Sequence, residues 1–273
     1  PPISTLFPYT TLFRSAEVIV KNANENAQLQ IQQVKELIEA KVDVIVIIPY
    51  DRETIAPTLK QAKKEGIHII AYDRLVQKGD VDVYMSFDNV KVGALMGAAM
   101  LEKTPKGNYV IINGSPKDNN AYMFHEGYMS VLQPAIDAGD ITVIKEVWAD
   151  DWREVVAYDT ISELIDSGAK IDTIIGANDD LAEGAIRSLL ERQLAGQIPV
   201  SGHDANLSAC QRIVEGTQTI TVYKPIKTLA QKAAETAVDL ALGKSITSEQ
   251  TIDDGEFNVP FIMFDPILRS EER

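Results

Sequence analysis

The sequence is poor in cysteine and histidine and has no long apolar stretch, and each scarcity excludes a class of protein. Its single cysteine, Cys210, cannot form an intrachain disulfide. We expect it to be a buried core thiol, because Leu207, Ile213 and Val214 lie near it at helical spacing. The three histidines, at positions 68, 125 and 203, have no metal-ligand spacing, so we expect neither a metal nor another cofactor. No segment reaches about 18 consecutive apolar residues, which argues against a membrane span.

Short motifs of common enzymes are also missing. Neither GxSxG nor GxGxxG occurs, and the HEGYM stretch that begins at His125 lacks the second histidine of HExxH. Neighbouring carboxylates such as Asp179 and Asp180 could suggest glycosidase acids, but adjacent residues point in different directions. We therefore expect a protein that binds its ligand and is not an enzyme.

Positive charge is scarce relative to negative charge. Lys and Arg number 26 against 40 Asp and Glu, which gives a formal net charge of -14. Such a chain would repel a phosphate backbone, so we expect no nucleic-acid partner. With 273 residues, 45% of them hydrophobic, the chain is long enough to form two medium-sized domains.

From Ala16 onward, short apolar strands alternate with amphipathic helices, and the first predicted strand covers residues 16–20. The alternation predicts an α/β fold with parallel sheets, right-handed crossovers and helices on both faces. About ten strands are too many for one compact sheet of this kind, so we expect two three-layer lobes. Residues 1–15 show neither periodicity nor the features of a signal peptide, and we interpret them as a non-native or disordered leader.

Polar side chains directly follow many of the predicted strands. In residues 109–120, YVIINGSPKDNN, a strand runs into a bend and then into a polar helix start. Small ligands bind open α/β sheets at such strand ends. Carboxylates accept hydrogen bonds, Arg and Lys donate them and Asn does both, which together can satisfy the hydroxyls of a sugar. The alternatives are that these side chains cap helices, or that Asp73 and Arg74 pair with each other.

Two tryptophans, Trp148 and Trp152, lie on either side of two aspartates. An indole face can pack against the C–H face of a pyranose. Trp148 continues a strand, so we expect it to be structural, whereas Trp152 lies beyond the strand and is the better ligand candidate. The alternative is that both fill the core.

Six motifs together resemble D-xylose-binding proteins of sugar ABC transporters, within the type I periplasmic-binding-protein family. They are AYDRL from Ala71, MSFDN from Met85, PKGNYV from Pro105, GSPKDNNA from Gly114, SGHDANL from Ser201 and GTQTITVYKPIK from Gly216. The resemblance implies two lobes joined by a hinge, with a sugar enclosed between them. It implies crossovers near Ser115, near residues 223–224 and near residues 254–259.

The implied first lobe comprises residues 16–115 and 226–256, and the second comprises residues 116–225 and 257–273. Family members begin with a strand and a helix ahead of Ala16, and residues 1–15 do not resemble them. We therefore expect the first lobe to lack its first strand and helix, which would leave unpaired sheet edges and an incomplete pocket.

The resemblance also assigns sugar contacts, residue by residue, to the matching positions. These are Asp73, Arg74, Asp118, Asn120, Trp152, Asn178, Asp204 and Lys224. Two other positions depart from the family: His125 stands where members often have Arg, and His203 where they have Gln. The two histidines could alter pentose selectivity or the response to pH, or they could simply be satisfied by local contacts.

The function implied by the resemblance is that of a solute-binding protein. It would bind a monosaccharide, D-xylose before others, and deliver it to an ABC permease in the periplasm or elsewhere outside the cytoplasm, with a lipid anchor as an option. One alternative is an extracytoplasmic receptor that signals to a membrane sensor kinase. Another is the effector lobe of a sugar-responsive repressor, which would require a helix-turn-helix that the sequence lacks.

Overall fold

Strands and helices alternate along almost the whole of the computed structural model, which describes residues 16–270. The helices are α1 (Ala27–Glu39), α2 (Ala56–Lys64), α3 (Asn89–Lys103), α4 (Asn119–Asp137), α5 (Glu154–Asp166), α6 (Asp179–Glu191), α7 (Leu207–Val214) and α8 (Ile226–Ala241). The strands are β1 (Val44–Ile47), β2 (His68–Tyr72), β3 (Val83–Phe87), β4 (Gly107–Asn113), β5 (Ile141–Trp148), β6 (Thr173–Gly176), β7 (Val200–Ser201), β8 (Ile220–Tyr223), β9 (Thr251–Asp253), β10 (Asn258–Phe264) and β11 (Ile267–Ser270).

The chain forms two units. The first contains residues 16–87, Lys117–Asn119 and Pro225–Phe264, and the second contains Asp88–Pro116, Asn120–Lys224 and residues 265–270. Within residues 16–270, none of the helices combines the length and the apolar character needed to cross a membrane. The predicted leader, residues 1–15, lies outside the described residues.

The first unit is built on a five-stranded sheet in the order β1-β2-β3-β10-β9. All its pairings are parallel except that of β9 with β10. Every residue of β3 is buried, as expected for a strand that is covered on both faces of the sheet. Helix α8 packs against β1, β2 and β3, and helix α2 packs against β2.

The second unit is built on a six-stranded sheet in the order β11-β8-β7-β6-β4-β5. Successive side chains of β4 point to opposite faces of this sheet. Val110 and Ile112 enter a core shared with α5 and α6, whereas Tyr109 and Ile111 enter a core shared with α3 and α4. The alternation produces a three-layer arrangement, and β11 completes one edge by antiparallel pairing with β8.

The structure confirms the two-sheet α/β fold, but it divides the chain at other points than the predicted boundaries. Strand β4, predicted in the first lobe, pairs with both β5 and β6 of the second sheet. Strand β10, predicted in the second lobe, pairs with β3 of the first sheet. These pairings join segments that are distant along the chain, so the local strand patterns do not reveal them.

Two local predictions are wrong. Residues 16–20 form no strand, and Val18, Ile19 and Val20 are between 46% and 56% exposed. Cys210 is exposed. Its helix, α7, turns Leu207 and Val214 towards solvent, with exposures of 76% and 78%, while Ile213 is buried, so only one of the three apolar residues that suggested burial of Cys210 lies in the core.

Candidate functional site

An ion pair joins two of the predicted ligand residues of the first unit. The Nε of Arg74 lies 2.8 Å from Oδ2 of Asp118. Asp118 is only 3% exposed, and a charge-assisted hydrogen bond of this length is a strong one. Arg74 is thus bonded to Asp118, a partner that the sequence analysis did not consider for it.

Asp73 lies at a sharp turn at the end of β2. Its φ of 64° is in the left-handed region, which residues other than glycine seldom adopt. The backbone N–H of Asp73 donates to the carbonyl of Met85 at 2.8 Å. Its carbonyl oxygen accepts from the hydroxyls of Ser86 at 2.7 Å and Tyr84 at 3.1 Å. These contacts to β3 hold the turn and fix the point at which Asp73 and Arg74 leave the sheet.

The short segment Lys117–Asn119 is tied to the rest of the first unit by hydrogen bonds. Gln77 Nε2 donates to Oδ1 of Asn119 at 2.8 Å, and the backbone N–H of Arg52 donates to the carbonyl of Lys117 at 2.9 Å. The N–H of Gln77 in turn donates to the carbonyl of Arg52 at 2.7 Å. Asp118 therefore sits in a segment that is held on both sides.

Asp254 supports the loop that contains Gln77. It is fully buried, and its Oδ1 accepts from the backbone N–H groups of Glu256 at 2.9 Å and Phe257 at 2.7 Å. Its Oδ2 accepts from the N–H of Gly79 at 2.9 Å. One carboxylate thus joins two loops of the first unit.

In the second unit, Lys224 and Asp204 form a pair at the end of the sheet. Lys224 Nζ lies 2.9 Å from Oδ1 of Asp204, and Lys224 is 7% exposed. Nε2 of His203 lies 3.4 Å from the same oxygen. The other ring nitrogen, Nδ1, donates to the carbonyl of Ala177, and because a carbonyl only accepts, the hydrogen must be on Nδ1. Asp204 is therefore flanked by two nitrogen-bearing side chains.

The indole of Trp152 lies against the end of β4. A Cβ built on Gly114 would be 2.0 Å from Cη2 of the indole, so only glycine fits there. The indole meets the rings of Phe124 and His203 edge-on, each with centroids 6.3 Å apart. Asp151 and Trp152 both have positive φ, 54° and 57°, and this reversal turns the indole back onto β4.

Trp148 and His125 lie in a separate aromatic cluster of the second unit. The Trp148 ring is 4.7 Å from that of Tyr122 and 5.7 Å from that of His125. Nε2 of His125 lies 3.0 Å from Oε1 of Glu146. His125 is thus satisfied by its contact with Glu146 and by ring contacts, which was one of the two outcomes considered for it.

The two predicted asparagines have different surroundings. Oδ1 of Asn178 accepts from the N–H of Leu181 at 2.9 Å, so Asn178 caps α6, as the capping alternative requires. Oδ1 of Asn120 accepts from Nδ2 of Asn89 at 3.0 Å, with both residues buried. Asn89 was not among the predicted ligand residues. Its position could have identified it as a candidate, since Asn89 lies shortly after the end of β3, much as Asp73 lies directly after the end of β2.

Asp179, next to Asn178, is a fully buried carboxylate. It accepts from Gln218 Nε2 at 2.8 Å, from the Thr221 hydroxyl at 3.0 Å and from the N–H of Asn206 at 3.0 Å. Burial raises the pKa of Asp179 to about 6, against the effect of its three hydrogen bonds, and the charge of Asp204 acts in the same direction as burial. This residue is therefore close to Asp204 but enclosed by protein.

The structure brings together Arg74 with Asp118 in the first unit, and Asp204 with Lys224 in the second. Phe124 is a neighbour of this second pair that was not among the predicted site residues. Lys224 Nζ lies 5.7 Å from the centre of the Phe124 ring, which is itself 4.4 Å from that of His203. Phe124 lies on the apolar face of α4 and is part of the core, so its position in the sequence indicates a core residue and not a site residue.

Known proteins resemble the chain in sequence and in structure. Residues 13–245 match the family described as periplasmic binding protein domain. The D-xylose-binding periplasmic protein of Escherichia coli (strain K12) is 43% identical over 253 residues, 92% of this chain and 77% of the relative. The protein of the same name from Haemophilus influenzae is also 43% identical, over 92% of this chain and 76% of the relative. An ABC transporter solute-binding protein from Clostridium phytofermentans with bound β-D-glucose has a TM-score of 0.88 at 28% identity, covering 98% of this chain and 89% of that one.

Proposed function

The chain belongs to the periplasmic binding protein domain family, and from that membership we propose that it binds a monosaccharide, D-xylose, reversibly. The identity of 43% with D-xylose-binding periplasmic proteins over 92% of the chain supports the choice of sugar. The observation that carries the proposal is the Asp204–Lys224 pair. It joins side chains from SGHDANL and GTQTITVYKPIK, two of the motifs that the family resemblance rests on.

The proposed ligand residues supply the hydrogen bonds that a sugar needs. They are Asp73, Arg74, Asp118, Asn120, Trp152, Asn178, Asp204 and Lys224. Each sugar hydroxyl donates one hydrogen bond and accepts others, and the set contains donors, acceptors and amides that do both. An ion pair such as Arg74 with Asp118 fixes the direction of the remaining lone pairs and N–H groups, so less ordering is required when the ligand binds. Enclosure of the sugar between lobes remains a prediction of the sequence analysis.

Trp152 has a different role in the proposal. Its ring is fixed by Gly114 on one side and by Phe124 and His203 at its edges. A rigid indole can pack against the C–H face of a sugar at low entropic cost, while the polar groups bind the hydroxyls. We therefore assign Trp152 to packing rather than to hydrogen bonding.

We propose that the protein binds its sugar without chemical change and passes it to one protein partner. The relatives are named as binding proteins, and we propose that this chain, like them, is not an enzyme. We propose that it acts in the periplasm or elsewhere outside the cytoplasm and delivers its sugar to an ABC permease. Presentation of the bound sugar to a membrane sensor kinase is the alternative partner for the same binding site.

Calorimetry with a panel of xylose, ribose, arabinose, glucose and galactose tests the proposal. We expect D-xylose to bind most tightly. A micromolar dissociation constant corresponds to about 8 kcal/mol. Lys224→Met should weaken binding at least about 10-fold, because a hydrogen bond from a charged donor to the sugar contributes about 1.5–3 kcal/mol. Lys244→Met, at a 61%-exposed lysine side chain, is the matched control and should stay within about twofold.

Two results contradict the proposal at different levels. If folded wild-type protein gives no binding heat with any of the five sugars, the sugar-binding function is refuted. If Lys224→Met binds xylose as tightly as the wild type, only the assignment of the Asp204–Lys224 pair to the site is refuted. Thermal shift provides a second measurement, since a sugar at 100 times its dissociation constant should stabilise the protein by about 2.7 kcal/mol.

A further inference from the structure

The turn that carries Asp204, residues 202–206, has an unusual backbone. Asp204 has a φ of 105° and Ala205 a φ of 55°. Neither residue is glycine, so each is in a conformation that persists only when surrounding contacts hold it. The N–H of Asp204 donates to the carbonyl of Val222 at 3.0 Å, which holds one side of the turn against β8.

The other side of the turn is held by Asp179, at the start of α6. Its Oδ2 accepts from the N–H of Asn206 at 3.0 Å and from the hydroxyl of Thr221 at 3.0 Å. The oxygen of Thr221 in turn accepts from the N–H of Ala205 at 3.0 Å. The N–H of Asp179 donates to the carbonyl of His203 at 2.9 Å. Backbone groups on both sides of Asp204 thus depend on one buried residue.

The second carboxylate oxygen of Asp179 is also engaged. Nε2 of Gln218 donates to Oδ1 at 2.8 Å, while Oε1 of Gln218 accepts from Nε of Arg212 at 3.0 Å. Because Arg212 only donates, the amide of Gln218 cannot turn round without placing two donors against each other. Both oxygens of residue 179 must therefore accept hydrogen bonds, which an ionised aspartate can do and an asparagine cannot.

We propose that Asp179 is a positioning residue for sugar binding, whose buried carboxylate holds the 202–206 turn so that Asp204 is directed towards Lys224 and the ligand. The inference rests on the proposed function, because it is the sugar affinity of Asp204 that Asp179 would control. Asp179 is 0% exposed, so it acts through Asp204 and does not contact the sugar.

The same geometry makes the affinity depend on pH. Burial raises the pKa of Asp179 to about 6. Once protonated, one of its oxygens carries a hydrogen, and the carboxyl can no longer accept from all three donors. The charged and titratable groups around it are Asp204, Lys224 and His203 at the turn and β8, Arg212 from α7, and Asp180 and Glu183 from α6. Among these residue types, histidine is the one that ordinarily changes charge near the same pH, so His203 is the group to separate from Asp179.

The first test compares Asp179→Asn with Asp180→Asn by calorimetry with D-xylose at pH 7.5. Both variants lose one carboxylate at the start of α6, but Asp180 is exposed and its Oδ1 accepts from the side-chain Nδ2 of Asn206 at 3.2 Å, whereas Asp179 binds the backbone N–H of that residue. We expect Asp179→Asn to weaken binding about 10- to 100-fold, because small displacements of a ligand-binding group have effects of this size. Asp180→Asn should stay within about twofold. Equal affinities of Asp179→Asn and the wild type would overturn the proposal.

A pH profile separates positioning from a merely structural role. The wild-type dissociation constant for xylose should rise as the pH falls from about 7.5 to 5, with a midpoint near the pKa of about 6. Asp179→Asn should lose this midpoint, and His203→Gln should keep it. A midpoint that persists in Asp179→Asn, or that disappears in His203→Gln, would assign the pH dependence to another group and overturn this step.

Hydrogen exchange tests the turn without any sugar. The amides of Ala205 and Asn206 should exchange at least about tenfold faster in Asp179→Asn than in the wild type or in Asp180→Asn. Unchanged exchange would overturn the proposal even if the binding data agreed with it. If Asp179→Asn does not fold, Thr221→Val replaces it and should accelerate exchange at Ala205. A wild type that binds no sugar would refute the proposed function, whereas the exchange rates would still decide whether Asp179 holds the turn.

Discussion

Replacement of Gly114 by alanine tests the placement of Trp152 directly. A Cβ on residue 114 would lie 2.0 Å from Cη2 of the indole and 2.4 Å from Cζ2 and Cζ3. Ordinary contact begins at about 3.4 Å, so the ring would have to move by about 1.4 Å. Gly114 is not among the residues with positive φ, so the substitution adds a steric conflict and no backbone strain.

The indole has little room to move away from that methyl group. Phe124 and His203 meet its edges, and both are buried. Overpacking of this kind typically lowers the free energy of unfolding by about 1–3 kcal/mol. Each kcal/mol corresponds to roughly 2–4 °C in the melting temperature of a chain of this size. If Trp152 packs on the sugar, a shift of about 1 Å should also weaken xylose binding on the order of 100-fold.

A double-mutant cycle isolates the steric cause. Gly114→Ala is introduced into the wild type and into Trp152→Ala, and unfolding in urea is followed for all four proteins. Without the indole, the added methyl group should change the free energy of unfolding by no more than about 0.5 kcal/mol. The reasoning is refuted if Gly114→Ala is equally destabilising in both backgrounds, or if it is harmless in the wild type. Calorimetry with xylose on the same proteins measures the effect on binding.

Two further predictions concern the first unit. Asp254→Asn should lower the free energy of unfolding by about 2–3 kcal/mol, because an amide cannot accept hydrogen bonds from all the N–H groups that the buried carboxylate binds. Urea denaturation measures this loss beside the control Asp253→Asn, at an exposed residue. Equal losses in the two variants would contradict the prediction. Arg74→Met should cost about 2–3 kcal/mol by leaving the buried Asp118 without this partner, and Arg74→Met/Asp118→Asn should recover most of the loss. The exposed pair Arg187–Glu154 supplies the control, since Arg187→Met should lower the free energy of unfolding by less than about 0.5 kcal/mol. A loss equally small for Arg74→Met would show that burial does not strengthen the Arg74–Asp118 pair.

Strands are predictable from this sequence where both faces of the sheet are covered. The apolar run Val83–Phe87 predicts β3 with the bounds that the structure has, because all five side chains are buried. Prediction fails where pairing rather than burial decides. Strand β9, Thr-Ile-Asp, is not an apolar run and is a strand through its pairing with β10. Residues 16–20 include three consecutive apolar residues, Val18–Val20, but pair with none of the described strands.

The candidate site is predictable one residue at a time, but its contacts are not. A polar residue directly after a strand is a local signal, and it identifies Arg74, Asp204 and Lys224. The identity of the partner depends on the order of strands in the sheet. Arg74 meets Asp118 because the segment Lys117–Asn119 belongs to the first unit, although both of its flanking residues belong to the second. No local pattern in GSPKDNNA indicates that assignment.

Asn178 and Asp179 illustrate a further limit of the local signal. Both are polar, both lie at the start of α6 and both follow β6, so the local pattern does not distinguish them. The structure separates them by direction, since the Asn178 side chain caps α6 whereas the Asp179 side chain supports the 202–206 turn. Of the carboxylates of Asp204 and Asp179, the first is 29% exposed and can meet a ligand, whereas the second is 0% exposed and is enclosed by protein. Polar residues at the ends of these strands therefore divide into those that can contact a ligand and those that hold the contacting residues in place.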